Sequence, residues 1–239
     1  MKRSYLSIGI LFLAHSASAG NLCTLPTATE TGYDVVMAED SLPENKTART
    51  DYYKLAINWS ADHCKKMEKK VKESNDQGKP EEAKKIRMQN AFQCFSNNKF
   101  SWVLHGLWAQ SCDGKSMTDC RNWSDIKKHP RYCKGDLPEV AFDELKPFMC
   151  NSPGAKLLQG EWEKHGACTF ETAKAFHEKA GELFSGLKLP DTGPNTPQLL
   201  TKVKTNNPQL AGKNLLIDGS EFYICYDLQF APINCPPKE

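Results

Sequence analysis

No stretch of this chain is apolar for the ~20 residues that a bilayer span needs. The longest such run, Tyr5 to Ala14, reaches about half of that. It follows Lys2 and Arg3 and precedes Ala17-Ser18-Ala19, the kind of small-residue site at which a signal peptidase cuts. Residues 1–19 therefore read as a secretory signal and not as an anchor, and no membrane partner is expected once they are gone. Excess charge of one sign is missing as well. The chain has 31 Lys and Arg against 29 Asp and Glu, and the signal removes two basic residues and no acidic ones, leaving 29 of each. Bulk attraction to a polyanion is thus excluded, so nucleic-acid binding must rest on local grouping of charge. Metal-ligand spacing is absent too. His165-x-x-Cys168 has no second short Cys or His pair to complete it, which argues against a zinc site. No metal and no cofactor are expected. There is no internal repeat, no low-complexity tract and no βαβ alternation, which speaks against a doubly wound sheet.

Cysteine is plentiful. All ten cysteines follow the signal, and an even number behind such a segment implies up to five disulfides in an oxidising compartment, periplasmic or extracellular. The length suits one core plus an insertion. Residues 20–50 read as an irregular N-terminal segment. Asp51 to Trp59 and Phe100 to Leu107 read as strands. Residues 65–90 are strongly charged and poor in large apolar side chains. They suggest two solvated helices broken at Gly78-Lys79-Pro80. Leu137 to Met149 suggests a short amphipathic helix. Phe170 to Leu187 suggests a longer one, with Ala173, Phe176, Ala180, Leu183, Phe184 and Leu187 on its apolar face. Thr196-Pro197 starts another helix. Leu215 to Ile217 and Glu221 to Phe230 form a strand pair about Asp218-Gly219. The expected fold is α+β: an antiparallel sheet packed with helices and stapled by disulfides, one domain over 51–239.

Two histidine segments carry the chemistry. In Glu161-Trp162-Glu163-Lys164-His165, a helical turn would put Glu161, Lys164 and His165 on one face. Glu161 would then hold the His165 imidazolium and raise its pKa, and Lys164 would meet phosphate oxygens. In Trp102 to Trp108, His105 ends an apolar strand, Gly106 permits close approach, and Trp108 offers a stacking face. Taken singly, these are ordinary core or salt-bridge residues. Together, two imidazoles, a cation and a stacking face suit metal-free RNA transesterification, with one histidine as base and the other as acid.

SWVLHGLWA and GEWEKHGAC resemble the two signature blocks of the ribonuclease T2 family. DYYKLAINW and YICYD, with Cys235 ten residues after Cys225, resemble its opening and closing strands. The likeness runs from Asp51 to Cys235, with 65–90 as an insertion. It implies a monomeric endoribonuclease of low base specificity that cuts single-stranded RNA to a 2′,3′-cyclic phosphate and then a 3′-phosphate. By the same likeness His165 is the base and His105 the acid. Glu161 and Lys164 stabilise the transition state, and Trp108 and Trp162 contact substrate. Cys225–Cys235, Cys120–Cys168 and Cys94–Cys150 are the implied disulfides, with Cys23, Cys64, Cys112 and Cys133 unassigned. Two positions depart from the pattern. Gly160 stands where many members carry a third histidine, and Ala109 stands where a proline usually follows the first block. They leave open an alternative, a catalytically weak secreted RNA-binding or host-modulating protein on the same scaffold.

Overall fold

Strand β1 (Tyr52–Trp59) is the axis of the molecule, and its alternation decides what lies on either side. Tyr53, Leu55 and Ile57 point to one face and Lys54, Ala56 and Asn58 to the other, because successive strand side chains alternate. In this computed structural model, which describes residues 22–27, 29–34, 45, 47–122, 128–194 and 198–238, β1 pairs antiparallel with β2 (Trp102–Gln110) on one side. On the other side it pairs antiparallel with β4 (Glu221–Tyr226). β3 (Leu216–Asp218) and β5 (Pro232–Ile233) both pair with β4, giving a five-stranded sheet ordered β2-β1-β4-β3. The architecture is the expected α+β, antiparallel and disulfide-stapled. The signal segment and Thr196-Pro197 lie outside the described residues.

Helices follow the two chain breakers and the apolar spacing. α1 (Ser60–Asp76) and α2 (Pro80–Gln89) form a hairpin about Gly78, whose φ of 70° suits a residue without Cβ, and Pro80 opens α2. A short α3 (Ala91–Cys94) returns the chain to β2. The expected amphipathic helix over 137–149 is only a single turn, α4 (Phe142–Leu145), followed by a 3₁₀ turn at Lys146–Phe148. Pro147 lacks the N–H that a continuing α-helix needs. α5 (Ala155–Lys164) carries the second histidine block. α6 (Ala173–Ser185) begins where the Thr172 hydroxyl accepts from Ala175 N–H at 3.2 Å. It buries Ala173, Phe176, Ala180 and Phe184 against Leu55, Leu104, Leu107 and Phe222. α7 (Leu199–Asn206) adds Leu199 and Val203 to that core. The sheet therefore has one face on the core and leaves the other for polar residues.

Five disulfides join all ten cysteines. Cys225–Cys235 pairs as expected. The other two expected pairings are wrong. Cys94 bonds Cys64, because the charged insertion closes on itself at its own base. Cys150 bonds Cys23, which fastens the leading segment. Cys168 bonds Cys133, brought near by the hydrogen bond from Tyr132 N–H to Lys164 O. Cys120 bonds its close neighbour Cys112.

Candidate active site

A β-bulge builds the site. Ala56 pairs with Gly106 but Ile57 pairs with Leu104, which leaves His105 as the extra residue of β2. A bulge interrupts the alternation and re-aims a side chain. Here it turns His105 to the polar face, beside Trp108. The backbone displaced by the bulge is satisfied from outside the sheet. Leu104 N–H donates to Asn151 O at 2.8 Å, and Leu104 O accepts from the Ser152 hydroxyl at 2.9 Å. A Cβ on Gly106 would lie 1.8 Å from Glu161 Oε2, so the side chain that approaches this glycine is Glu161.

Glu161, Lys164 and His165 do not act as a single column. His165 lies just beyond α5 with φ −127° and ψ −49°, off the helical path. Its ring stacks on Trp108, with centroids 5.4 Å apart and planes 27° apart. Glu161 instead accepts from Trp108 Nε1 at 2.7 Å and lies 3.5 Å from His105 Nε2. The expectation that Glu161 raises the pKa of His165 is thus overturned, and its partner is His105. Trp108 joins the two imidazoles, since the His105 ring meets it edge-on at 5.2 Å.

The electrostatics separate the two histidines. Burial alone would lower the pKa of His105, but the carboxylates of Glu161 and Glu221 outweigh both burial and Lys164, and it is raised. Burial lowers His165 far below its ordinary value, helped by Lys164, Arg131, His105 and Lys54. Its Nδ1 is buried without a hydrogen-bond partner, and the residue is 6% exposed, behind Trp108 and not in the lining of the cleft that holds His105. Lys54 sits under the indole, with Nζ 5.2 Å from the Trp108 centroid and 4.9 Å from that of Tyr223. Burial brings its pKa down to about 8.

A cleft of about 360 Å³ opens beside this cluster, lined by His105, Glu161 and Lys164. The charged insertion, 65–90, forms part of its wall through Gln89 and Asn90, so that segment is more than a solvated appendage. Nothing lies within 4 Å of where a Cβ on Gly160 would be, and this glycine leaves open space in the cleft. Among the described residues one group of carboxylates could hold a cation. Asp34, Asp136 and Glu163 each bring an oxygen within 4.8 Å of the others. No histidine belongs to it, and Gln159 donates to Glu163 at 2.6 Å.

The sequence profile of the Ribonuclease T2 family matches residues 50–201. The chain belongs to the ribonuclease T2 family. It is an endoribonuclease by that membership. A probable ribonuclease of Haemophilus influenzae is 39% identical over 206 residues, covering 86% of this chain and 68% of that one. A ribonuclease of Aeromonas hydrophila is 27% identical over 133 residues, 56% of this chain and 44% of the other. Among solved structures, RNase NT in complex with 5′-AMP aligns at 16% identity and a TM-score of 0.48, over 80% of this chain and 93% of that one.

Two readings of the T2 blocks change in three dimensions. Trp162 is not in the cleft. It is 6% exposed and packs near Phe176 in the core, because adjacent helix residues face different ways. Glu221 was missed. It stands 116 positions from His105 in the chain and reaches His105 Nδ1 at 2.5 Å. Its only sequence signal was a carboxylate at the start of an apolar strand.

Proposed function

We propose that this T2 protein cuts single-stranded RNA without a metal, with low base specificity, by attack of the 2′-oxygen on the adjacent phosphorus. His165 Nε2 takes the 2′-hydroxyl proton. The P–O5′ bond breaks, and the departing oxygen receives a proton from His105. The 2′,3′-cyclic phosphate is then opened by water to a 3′-phosphate, with the two histidines exchanging roles. Lys164, half-buried at the cleft, offsets charge on the phosphorane. Glu161 fixes Trp108 and His105. The exposed part of Trp108 would receive a base.

The observation that carries this reading is a pair of imidazoles on one indole whose pKa values are driven apart, His165 down and His105 up. Such separation assigns the base and the acid. At pH 6.5, the ordinary histidine value, His165 is then neutral and His105 charged. We also read the protein as a monomer working in the periplasm or outside the cell after loss of residues 1–19. The disulfides suit that compartment.

The test is cleavage of a ribodinucleotide beside its 2′-deoxy counterpart, with EDTA present. We expect the ribo form alone to be cut, with a bell-shaped kcat/KM whose acid limb belongs to His165 and whose alkaline limb belongs to His105. His105→Ala and His165→Ala should each lose about 10²–10⁴-fold. Cleavage of the deoxy form would overturn the mechanism. RNA binding without cleavage would leave only a binding protein.

A further inference from the structure

Glu221 takes no part in the chemistry above, yet among the described residues it makes the closest polar contact with His105. Its Oε1 lies 2.5 Å from His105 Nδ1 and accepts from Asn58 Nδ2 at 3.1 Å. Its Oε2 accepts from the Tyr223 hydroxyl at 2.9 Å. The strands dictate this grouping. Asn58 is the register partner of Glu221 across β1 and β4, and Tyr223 lies two residues on, hence on the same face. Burial would raise this carboxyl, but His105, Tyr223 and Asn58 hold it at about 2. It is therefore an anion across the working range and can only accept. Nδ1 of His105 must carry a hydrogen, so Nε2 is the nitrogen whose proton comes and goes. Nε2 faces Glu161 Oε1 at 3.5 Å, and the side chain is 35% exposed at the cleft.

We propose that Glu221 is a positioning residue that fixes the hydrogen on His105 Nδ1 and aims Nε2 at the leaving oxygen. This rests on the reading of His105 as the acid. In the cleavage step the P–O5′ electron pair leaves with the oxygen, which takes the Nε2 proton. His105 ends neutral, its remaining hydrogen still donated to Glu221, which stays an anion. In the second step Nε2 takes a proton from the water whose oxygen opens the cyclic phosphate. The charged or titratable groups around His105 are Glu161 and Lys164 from α5, His165 just beyond α5, His63 from α1 and Glu221 from β4, with Trp108 of β2 against its ring. The two carboxylates favour the imidazolium, while Lys164 and His63 oppose it.

Glu221→Gln tests this. We expect kcat to fall roughly 10- to 100-fold with KM little changed. The alkaline limb should move about 1–2 units to lower pH, since His105 loses an adjacent anion, while the acid limb stays. An aryl phosphodiester of a nucleoside, whose phenolate leaves without a proton, should be cut within roughly threefold of the parent rate. Nitrogen-15 NMR should show His105 protonated on Nδ1 throughout its titration in the parent protein, and a lowered pKa with mixed tautomers in the variant. An equal loss on both substrates with an unmoved alkaline limb, or an unmoved His105 titration, overturns the proposal. If Glu221→Gln does not fold, Tyr223→Phe strips one hydrogen bond from Glu221. With one donor fewer the anion bears harder on His105, so a small shift of the opposite sign, to higher pH, is expected there, and a shift to lower pH or none at all counts against the proposal. Should the parent protein fail to cut RNA, the cleavage reading falls, while the NMR titration still decides whether Glu221 holds Nδ1.

Discussion

Gly106 holds the tightest tolerance in the site. An added methyl would meet Glu161 Oε2 at 1.8 Å and Trp108 Nε1 at 2.7 Å, so the carboxylate must leave its place. Displacing a catalytic constellation by about 1 Å can cost about 10²-fold. Gly106→Ala should therefore lose about that much in kcat/KM, with ~1–3 kcal/mol of stability from overpacking. Kinetics beside a thermal melt check it, and full activity would mean that Glu161 is not needed where it stands. His105, Glu161, Lys164 and His165 were legible as residue types because both blocks are short and local. Their partnerships were not. Which imidazole faces Glu161 depends on a bulge and on one non-helical φ, and neither is written in side-chain chemistry. Glu221 could not be found, since its meaning arises only when β4 lies beside β1.

At the scale of elements, the strands and α6 followed from alternation and apolar spacing, and the hairpin break followed from Gly78 and Pro80. α5 was visible only in its last turn, because Gly160 interrupts its pattern and its apolar residues serve two separate core clusters. Disulfide partners were least legible, because they depend on which segments run side by side. Cys133–Cys168 ties the segment after His165 to a loop 35 residues earlier. Closing a loop of that size is worth about 4 kcal/mol by chain entropy. Cys133→Ser with Cys168→Ser should lower unfolding free energy by about 3–4 kcal/mol in urea titration. It should also reduce kcat, because the backbone behind His165 loosens. Unchanged kcat would show that α5 and its core contacts suffice to hold the imidazole.

For the molecule as a whole, several buried histidines link stability to pH. His177 is 4% exposed, between Phe148 and Phe176, and burial brings its pKa to about 4. Its unfolded value is about 6.5. A depressed histidine binds more protons when unfolded, so the stability it contributes is present above pH 6.5 and is lost as pH falls toward 4. That loss is on the order of 3 kcal/mol. His165 acts with the same sign. Glu221 adds a further loss from the ordinary carboxylate range, about 4.3, down to about 2. His105, which is raised, acts oppositely, its contribution fading as pH rises through its folded value. Melting temperature should therefore fall between pH 7 and pH 4, and His177→Gln should make that fall shallower. Parallel melts across this range check it, and an unaltered slope would mean that His177 titrates normally.

The clasp at the foot of the α1–α2 hairpin has a practical corollary. Cys64 and Cys94 meet there, while the far tip at Gln77, Gly78 and Lys79 stands in solvent. The wall residues Gln89, Asn90 and Gln93 lie inside the loop that this clasp closes, so the clasp fixes the hairpin that carries them while the tip itself stays clear of the cleft. The hairpin is a ready handle, a place to splice an epitope or a fluorophore while the enzyme beneath it keeps working.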